Sequence, residues 1–530
     1  MNIIQRIVAA AMALALSVPG LAFAQAVSLT EPVQTTSGPV RGVVEGDLTS
    51  WRGIPYAAPP IGNLRWRAPI PPRAWSTPLI ANAYGSVCAQ NADLGVFAKA
   101  GGSEDCLNLN VFVPTAKRSS TTLLPVFVWL YGGALRVGAA LDYDPSRLAV
   151  EGGAIVVTLN YRVGLFGFFA HSAVQEDGKS GVNYGLLDQQ LALKWVNDNI
   201  ARFGGDANNV TIAGESAGGD SVIAHLVSPA SRGTFQHAIA MSGTANILKF
   251  PTFGAPRPLN AAQKMASDFA EAVHCNTQMA AACLRALPTS QVLAHQTGFT
   301  AQQFIVDGKT LPIEPGVALS TGQINPVRTV ILGSTRDEGN FFAGYLENES
   351  GKPIDESSFP KTMEIFFGDH AEVVMKQYPA SAYTSPSEAF AAAATDMLFA
   401  CTSQEAARRI TAKTPAYVYE FADRTAPSYL KPTTFALGAA HTYELAYLFP
   451  SFHGGSGIPT TLNPLQKKLA SQMVRYWSNP LNVTAPNSGW QPYNAKRQNV
   501  MSFVLPTARM TEMSFARAHH CEFWDKLGVY

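Results

Sequence analysis

Charge of either sign is scarce in this sequence, and neither sign predominates. Charged residues make up 15% of the 530 residues, and the formal net charge is +1. The chain contains no run of lysine or arginine. Because nucleic acids and anionic membranes are bound through clustered positive charge, neither is expected as a partner. Apolar residues make up 47% of the chain, which is ample for a large buried core.

Long apolar runs are also lacking, except at the amino terminus. Residues 7 to about 21 are apolar, and Ala22-Phe23-Ala24 follows them as a small-x-small pattern. The run is short, contains Pro19 and has no basic flank after it. These features are typical of a secretory signal peptide and favour it over an uncleaved membrane helix. We therefore predict a signal peptide at 1–24, cleaved after Ala24, a single domain at 25–530, and a secreted or periplasmic protein without a membrane anchor.

Cysteine is infrequent, and no Cys-x-x-Cys motif occurs. The six cysteines suit an oxidising compartment, but they permit 15 pairings, so the sequence alone does not fix their connectivity. The ten histidines are scattered, and the adjacent His519, His520 and Cys521 are poorly placed to bind one ion together. We predict no metal site and no cofactor.

Apolar segments of strand length recur along the chain, with helical or irregular stretches between them. They lack the alternation of a half-exposed strand, which favours strands buried on both faces of a largely parallel sheet. Leucines and other apolar residues between 184 and 200 have helical spacing. This alternation predicts a doubly wound α/β fold. The predicted strands are 124–130, 154–159, 210–213, 237–241, 329–332 and 416–421, and the intervals 250–326 and 344–415 are interpreted as insertions that cap the sheet.

Ser216 lies between the predicted strand 210–213 and a helix that we expect to begin at Ala217, in the pattern Gly214-Glu215-Ser216-Ala217-Gly218. A sharp strand-to-helix turn exposes a serine hydroxyl, and the flanking glycines remove side chains that would collide across it. The pattern alone occurs often by chance. A strand before it and Gly219 after it favour a nucleophile over an ordinary turn serine.

A second glycine pair, Gly132-Gly133, follows the strand 124–130 and precedes Ala134. Small residues let backbone N–H groups approach a substrate oxygen closely. Alone, this segment could be an ordinary turn. Together with the strand-to-helix turn at residues 214–218, called the elbow, it predicts an oxyanion hole formed by the N–H groups of Gly133, Ala134 and Ala217.

A serine nucleophile also needs a base and a carboxylate, which follow it along the chain in this type of fold. Asp337 and Glu338 both follow the strand 329–332, and their spacing leaves the two nearly equal as the acid. His441 follows the strand 416–421 among small residues, which favours it as the base over the other histidines.

Taken together, these segments resemble the type-B carboxylesterase/lipase family, which includes cholinesterases, carboxylesterases and bacterial p-nitrobenzyl-esterase-like enzymes. The resemblance extends over nearly all of the chain after residue 24. Besides the elbow, residues 51–57, 103–111, 159–162, 203–206 and 337–341 carry it.

The resemblance implies an α/β-hydrolase fold, with a central, mostly parallel twisted sheet flanked by helices and capping insertions. It implies hydrolysis of carboxylic esters by a Ser-His-Glu triad through an acyl-enzyme, with Glu338 as the acid and His441 as the base. The family's three disulfides fall on Cys88–Cys106, Cys275–Cys283 and Cys401–Cys521. A small-molecule ester is the expected partner, and the oligomeric state is not predicted.

The sequence departs from the family pattern at two places. The oxyanion segment reads Gly132-Gly133-Ala134-Leu135, where the family often has three glycines and an aromatic residue. Alanine keeps its N–H, so the hole is expected to remain. Between Cys88 and Cys106 there is Phe97 but no tryptophan, which cholinesterases use to bind a quaternary ammonium group. Choline esters are therefore not expected to be preferred substrates.

Two other functions remain as alternatives. The first is a lipase that acts on longer-chain lipid esters, although the segment between Cys88 and Cys106 is short for a lid. The second is a non-catalytic binding protein of the same fold, which the presence of Ser216, Glu338 and His441 disfavours.

Overall fold

The computed structural model describes residues 28–92, 100–118, 121–175, 181–249, 254–296, 303–454, 459–485 and 487–530. The predicted signal peptide and Phe97 lie outside the described residues. Within these ranges, no helix combines the length and the apolarity that a membrane crossing requires.

Seventeen strands occur in the described part of the chain, and twelve of them form one sheet. Its order is β1-β4-β5-β7-β9-β8-β10-β11-β14-β15-β16-β17, and all neighbours from β9 to β16 are parallel. The strands are β1 Ser28–Leu29, β2 Val33–Gln34, β3 Pro39–Arg41, β4 Val43–Glu45, β5 Leu48–Pro55, β6 Leu79–Ile80, β7 Asn108–Pro114, β8 Leu124–Leu130, β9 Ile155–Leu159, β10 Gly205–Glu215, β11 His237–Met241, β12 Arg257–Pro258, β13 Ile305–Val306, β14 Thr329–Thr335, β15 Ala416–Phe421, β16 Asn499–Phe503 and β17 Arg509–Glu512.

The α-helices of the described residues connect these strands or form the insertions. They are α1 Gly164–Gly167, α2 Tyr184–Asn199, α3 Ala217–Val227, α4 Leu259–Ala272, α5 Ala280–Ala286, α6 Thr289–Gln296, α7 Pro315–Thr321, α8 Glu338–Ser350, α9 Phe359–Phe367, α10 Ala371–Gln377, α11 Pro386–Thr395, α12 Cys401–Ile410, α13 Leu445–Leu448, α14 Pro464–Trp477, α15 Ser514–Ala518 and α16 Cys521–Leu527. Short 3₁₀ helices occupy Gly62–Leu64, Thr115–Lys117, Ala140–Asp142, Ser172–Val174, Ile200–Phe203, Pro229–Ser231, Gly368–His370, Ala380–Ala382 and Pro480–Thr484, and π turns occupy Arg147–Glu151 and Asp396–Ala400.

All six predicted strands are present, and the predicted helices at 184–200 and from Ala217 are α2 and α3. Every residue of β9, β11, β14 and β15 is buried. This agrees with the prediction, from their unbroken apolar sequences, that both faces of these strands are covered. Helix α3 packs on β10 and β11, and α12 packs on β14 and β15. The doubly wound α/β architecture predicted from the sequence is confirmed.

The parallel register determines where the site lies. Strands β8, β10 and β14 run in the same direction, so their carboxyl ends lie at one edge of the sheet. Gly132, Ser216 and Glu338 each follow one of these ends within a few residues. Ligand sites of open α/β sheets form at this edge.

The six cysteines form three disulfides, Cys88–Cys106, Cys275–Cys283 and Cys401–Cys521, as the family resemblance implied. The Cys401–Cys521 bond joins the first residues of α12 and α16, which are 120 positions apart in the sequence. It therefore ties the carboxyl-terminal helix to the helix that packs on β14 and β15.

Candidate active site

Ser216 is the single residue between β10, which ends at Glu215, and α3, which begins at Ala217. Its φ of 57° and ψ of −125° lie outside the regions that most L-residues adopt. Strained backbone of this kind is kept where the surrounding structure enforces it, often at functional sites. The serine lies at a sharp strand-to-helix turn, which is the geometry of a nucleophile elbow.

Close backbone packing explains the two glycines of the elbow. A Cβ on Gly218 would lie 2.0 Å from the carbonyl oxygen of Leu130 in β8. A Cβ on Gly214 would lie 2.4 Å from the carbonyl carbon of Gly218. A side chain at either position would therefore force β10, α3 or β8 apart.

The loop after β8 lies directly against this elbow. A Cβ on Gly132 would lie 2.6 Å from the carbonyl oxygen of Glu215 and 3.0 Å from the Cβ of Ser216. The next residues turn sharply, with φ of 104° at Gly133 and 55° at Ala134. Glycine at 132 thus permits the approach of the loop to the serine.

Three backbone N–H groups are available beside Ser216. In the part of the chain that the structure describes, the N–H groups of Gly133 and Ala134 are not paired with any acceptor. Ala217 is the first residue of α3, so its N–H has no acceptor within the helix. These are the three donors predicted from the sequence for an oxyanion hole.

His441 and Glu338 form a buried pair. The Nδ1 atom of His441 lies 2.5 Å from Oε2 of Glu338, and the residues are 3% and 0% exposed. The other carboxylate oxygen of Glu338, Oε1, accepts a hydrogen bond of 2.7 Å from the backbone N–H of Thr335. Both carboxylate oxygens of Glu338 are therefore held, and one of them orients the imidazole of His441.

Asp337, the other acid that the sequence left open, has a different environment. Its carboxylate accepts two hydrogen bonds from Arg424 and one from the backbone N–H of Ala439. The geometry thus places Glu338, rather than Asp337, at His441 Nδ1.

Aromatic rings enclose the imidazole of His441. The ring centroids of Phe341, Phe342 and Phe399 lie 5.8, 5.3 and 5.0 Å from that of His441. Phe341 and Phe342 are the fourth and fifth residues of α8, which begins with Glu338. Because these rings limit access of water, charge interactions around His441 are stronger than they would be in solvent.

Two further buried glutamates, Glu215 and Glu444, interact electrostatically with His441. Oε1 of Glu215 lies 3.2 Å from His441 Nε2, although not in line for a hydrogen bond. Burial raises the pKa of Glu215 well above its usual range, and the negative charge of Glu338 raises it further. Burial also raises the pKa of Glu444, as do the charges of Glu215 and Glu338, and the Ser242 hydroxyl donates to Glu444 Oε1 at 3.3 Å.

The sequence interpretation missed both Glu215 and Glu444 as parts of the site. Glu215 occupies the variable position of the Gly-x-Ser-x-Gly pattern, where the pattern itself requires no residue type. Glu444 follows His441 by three positions. The sequence signal that could have found them is the same in both cases, an acidic residue within three positions of a predicted catalytic one.

No group of three or more His, Cys, Asp or Glu side chains within the described ranges has a geometry that could hold a metal ion. The groups brought together at the sheet edge are a serine at a strained turn, a histidine with a carboxylate, and N–H donors. Such a set can perform acyl transfer, in which a nucleophile attacks a carbonyl carbon and the donors stabilise the oxyanion.

The chain is similar in sequence to known ester hydrolases over most of its length. The model of the carboxylesterase family matches residues 30–524. The chain is 37% identical to a para-nitrobenzyl esterase of Bacillus subtilis strain 168 over 438 residues, which cover 80% of this chain and 84% of that protein. It is 30% identical to an acylcarnitine hydrolase of Mus musculus, covering 93% and 91% of the two chains.

Solved structures agree with these relatives. A thermophilic pNB esterase superposes with a TM-score of 0.77 at 31% identity, covering 92% of this chain and 99% of the other. A second pNB esterase gives a TM-score of 0.75 at 31% identity. The match over the family's length and the sheet described above establish that this chain is a member of the carboxylesterase family, with the α/β-hydrolase fold, and is a serine hydrolase that acts on carboxylic esters.

Proposed function

We propose that Ser216, His441 and Glu338 form the catalytic triad of this esterase and that the N–H groups of Gly133, Ala134 and Ala217 form its oxyanion hole. The observation that carries this proposal is the 2.5 Å contact between His441 Nδ1 and Glu338 Oε2. The other ring nitrogen of His441, Nε2, lies 3.2 Å from Oε1 of Glu215, which is the residue directly before Ser216.

Acylation proceeds by proton transfer and nucleophilic attack. His441 Nε2 removes the proton from Ser216 Oγ as the oxygen bonds to the ester carbonyl carbon. The carbonyl oxygen gains negative charge and accepts hydrogen bonds from the three N–H donors. When the tetrahedral intermediate collapses, the C–O bond to the alcohol breaks, and His441 returns the proton to the departing oxygen.

Deacylation repeats these steps with water as the nucleophile. His441 takes a proton from a water molecule, which attacks the acyl-enzyme carbonyl and releases the carboxylic acid and the free Ser216 hydroxyl. Glu338 orients the imidazole and stabilises its charged form throughout, without having to accept the proton. No cofactor takes part.

The substrates are proposed to be small esters other than choline esters, of the kind that the name para-nitrobenzyl esterase indicates for the bacterial relative. The absence of tryptophan between Cys88 and Cys106 supports this preference over choline esters. Comparing kcat/KM for a p-nitrophenyl ester and a choline ester of the same acid tests it. A higher value for the choline ester would contradict it.

Substitution of the nucleophile tests the mechanism. We expect Ser216→Ala to lower kcat by about 10⁴- to 10⁶-fold without a change in Tm. Ser267→Ala is the matched control, because Ser267 is exposed and its hydroxyl donates to the Gln263 carbonyl within its own helix. Ester turnover near that of the parent enzyme in purified Ser216→Ala protein would rule out the proposal.

The proposal includes export and a single domain at 25–530. It is supported by the three disulfides, which suit an oxidising compartment, and by the signal-peptide pattern at 1–24. Amino-terminal sequencing of the protein recovered from the periplasm or medium should give Gln25 as the first residue. A protein that still begins at Met1 would contradict cleavage.

A further inference from the structure

Asp337 connects the two loops that carry the proposed acid and base. Its backbone N–H donates to the carbonyl oxygen of Ala439 at 2.9 Å, and its carboxylate oxygen Oδ2 accepts from the N–H of Ala439 at 3.0 Å. Glu338 is the next residue after Asp337, and His441 is two residues after Ala439. These two hydrogen bonds therefore join the backbone next to Glu338 to the backbone next to His441, whose side chains are 2.5 Å apart.

The side chain of Arg424 holds the Asp337 carboxylate in place. Its Nε donates to Asp337 Oδ2 at 2.9 Å and a terminal nitrogen donates to Oδ1 at 2.5 Å. This two-point contact fixes the orientation of the carboxylate. Arg424 follows β15 by three residues, so the start of the connection between β15 and α13, which also carries His441, supports the junction from 17 positions earlier in the chain.

The fit around Asp337 is close. Gly438, which precedes Ala439, has a φ of 62°, and a Cβ there would lie 2.4 Å from Asp337 Oδ2. The junction thus uses glycine where the carboxylate approaches the backbone. Asn340 adds a neighbouring connection, since its side-chain amide donates to the carbonyl oxygens of Ala436 and Leu437, each at 3.1 Å.

From this arrangement we infer that Arg424 and Asp337 are positioning residues for catalysis, which set the separation of Glu338 from His441 without touching the substrate. The inference rests on the proposed triad. Displacement of a catalytic group by about 1 Å can lower a rate by about 100-fold. Loss of the pair should therefore lower kcat more than it alters KM, because the substrate contacts remain.

Arg424→Ala and Asp337→Asn test the inference, with kcat and KM measured for a p-nitrophenyl ester. We expect each to lower kcat by about 10- to 100-fold with KM changed by less than about threefold. Because the two residues act as one unit, the double variant should be no slower than the slower single variant. Arg424→Lys keeps the charge but loses the two-point contact, and its kcat should lie between those of the parent and Arg424→Ala.

Arg408→Ala is a matched control for the loss of an arginine–carboxylate pair. Arg408 contacts Glu405 through two nitrogens at 2.5 and 2.6 Å, and its side chain is 58% exposed, close to the 63% of Arg424. It lies on α12, away from the two loops. We expect its kcat to stay within twofold of that of the parent.

Chemical rescue separates positioning from a general loss of structure. Arg424 lines a cavity of about 410 Å³, so a small guanidinium ion can reach the space that Arg424→Ala leaves. Millimolar ethylguanidinium should raise the kcat of Arg424→Ala at least threefold and leave Arg408→Ala unchanged. An unchanged kcat in Arg424→Ala, a loss without rescue, or multiplicative losses in the double variant would each overturn the inference.

The positioning role of Arg424 and the proposed triad are tested separately. If Ser216→Ala abolishes turnover while Arg424→Ala retains the parent kcat, the triad remains and the positioning role is wrong. If Ser216→Ala remains active, the proposed triad itself is wrong.

Discussion

Oε1 of Glu215 lies 3.2 Å from Nε2 of His441, the ring nitrogen opposite the one that contacts Glu338. Burial and the neighbouring charge of Glu338 raise the pKa of Glu215. Two carboxylates therefore lie on either side of one imidazole, and burial favours the neutral acid at Glu215.

Glu215→Gln should consequently be tolerated near neutral pH, because a neutral acid and an amide have nearly the same shape and charge. We expect kcat to stay within about tenfold of that of the parent at pH 7, an effect of the size of a single hydrogen bond. The two enzymes should diverge as the pH rises, since only the parent can ionise at this position. Profiles of kcat against pH for the two enzymes test this. A large loss of kcat in Glu215→Gln that is the same at every pH would contradict a neutral Glu215 in the parent.

Glu338→Gln should be much more damaging. The amide can still accept the hydrogen bond from Thr335 N–H, so the fold should be retained, but it cannot stabilise the charged imidazole. In a serine triad such a change costs about 10⁴-fold in kcat by favouring the wrong tautomer. We expect a loss of about 10³- to 10⁴-fold with little change in Tm. A loss below tenfold would show that Glu338 is not the triad acid.

Gly133→Ala should damage the oxyanion hole. The new Cβ would lie 2.3 Å from the carbonyl oxygen of Val137, and the backbone has a φ of 104°. Loss or displacement of one donor typically lowers kcat by about 10²- to 10³-fold. The control is Ala134→Gly, which keeps the N–H and relieves a φ of 55°, and it should keep kcat within about threefold of the parent. Equal losses of kcat in Gly133→Ala and Ala134→Gly would contradict the assignment of these N–H groups to the oxyanion hole.

His519 should make stability depend on pH. Burial alone would lower its pKa, but contacts of 2.6 Å with Asp396 and 3.0 Å with Glu420 outweigh burial and raise the pKa to about 10. Because the folded pKa exceeds the unfolded value of about 6.5, this contribution is complete below pH 6.5 and is lost as the pH rises through 10.

We therefore expect the parent protein to lose stability between about pH 7 and 10. His519→Asn should be less stable at pH 6, and its stability should vary less over that range. Thermal unfolding of the parent and of His519→Asn at intervals of pH measures both effects. Parallel curves of Tm against pH for the two proteins would rule out a charged His519.

The sequence predicts the strands of this fold well where they are buried on both faces. β8, β11 and β15 begin and end where the apolar runs predict. Three strands of the first 80 residues, β1, β2 and β6, were not predicted, since they have only two residues each, largely exposed or half-buried. Pairing with neighbours, rather than an apolar pattern, defines such strands.

The contacts of the candidate site could be anticipated from the sequence only in part, for a similar reason. Local backbone chemistry identifies Ser216 and Gly132, because strand, turn and glycine occur together in the sequence. Spacing could not distinguish Asp337 from Glu338, since the choice depends on Arg424 and Ala439, which are about 90 and 100 positions away. The enclosure of His441 by Phe399 is another contact between distant segments.

The most direct test of the central claim is the identity of the residue that becomes acylated. The protein would be treated with a fluorophosphonate, or with a slowly hydrolysed p-nitrophenyl ester in rapid quench, and its peptides analysed by mass spectrometry. We predict one equivalent of label on Ser216, in the peptide that contains Gly214 to Gly218, and no label in Ser216→Ala. Hydrolysis of esters without a modified Ser216, or stoichiometric label on another residue, would contradict the account.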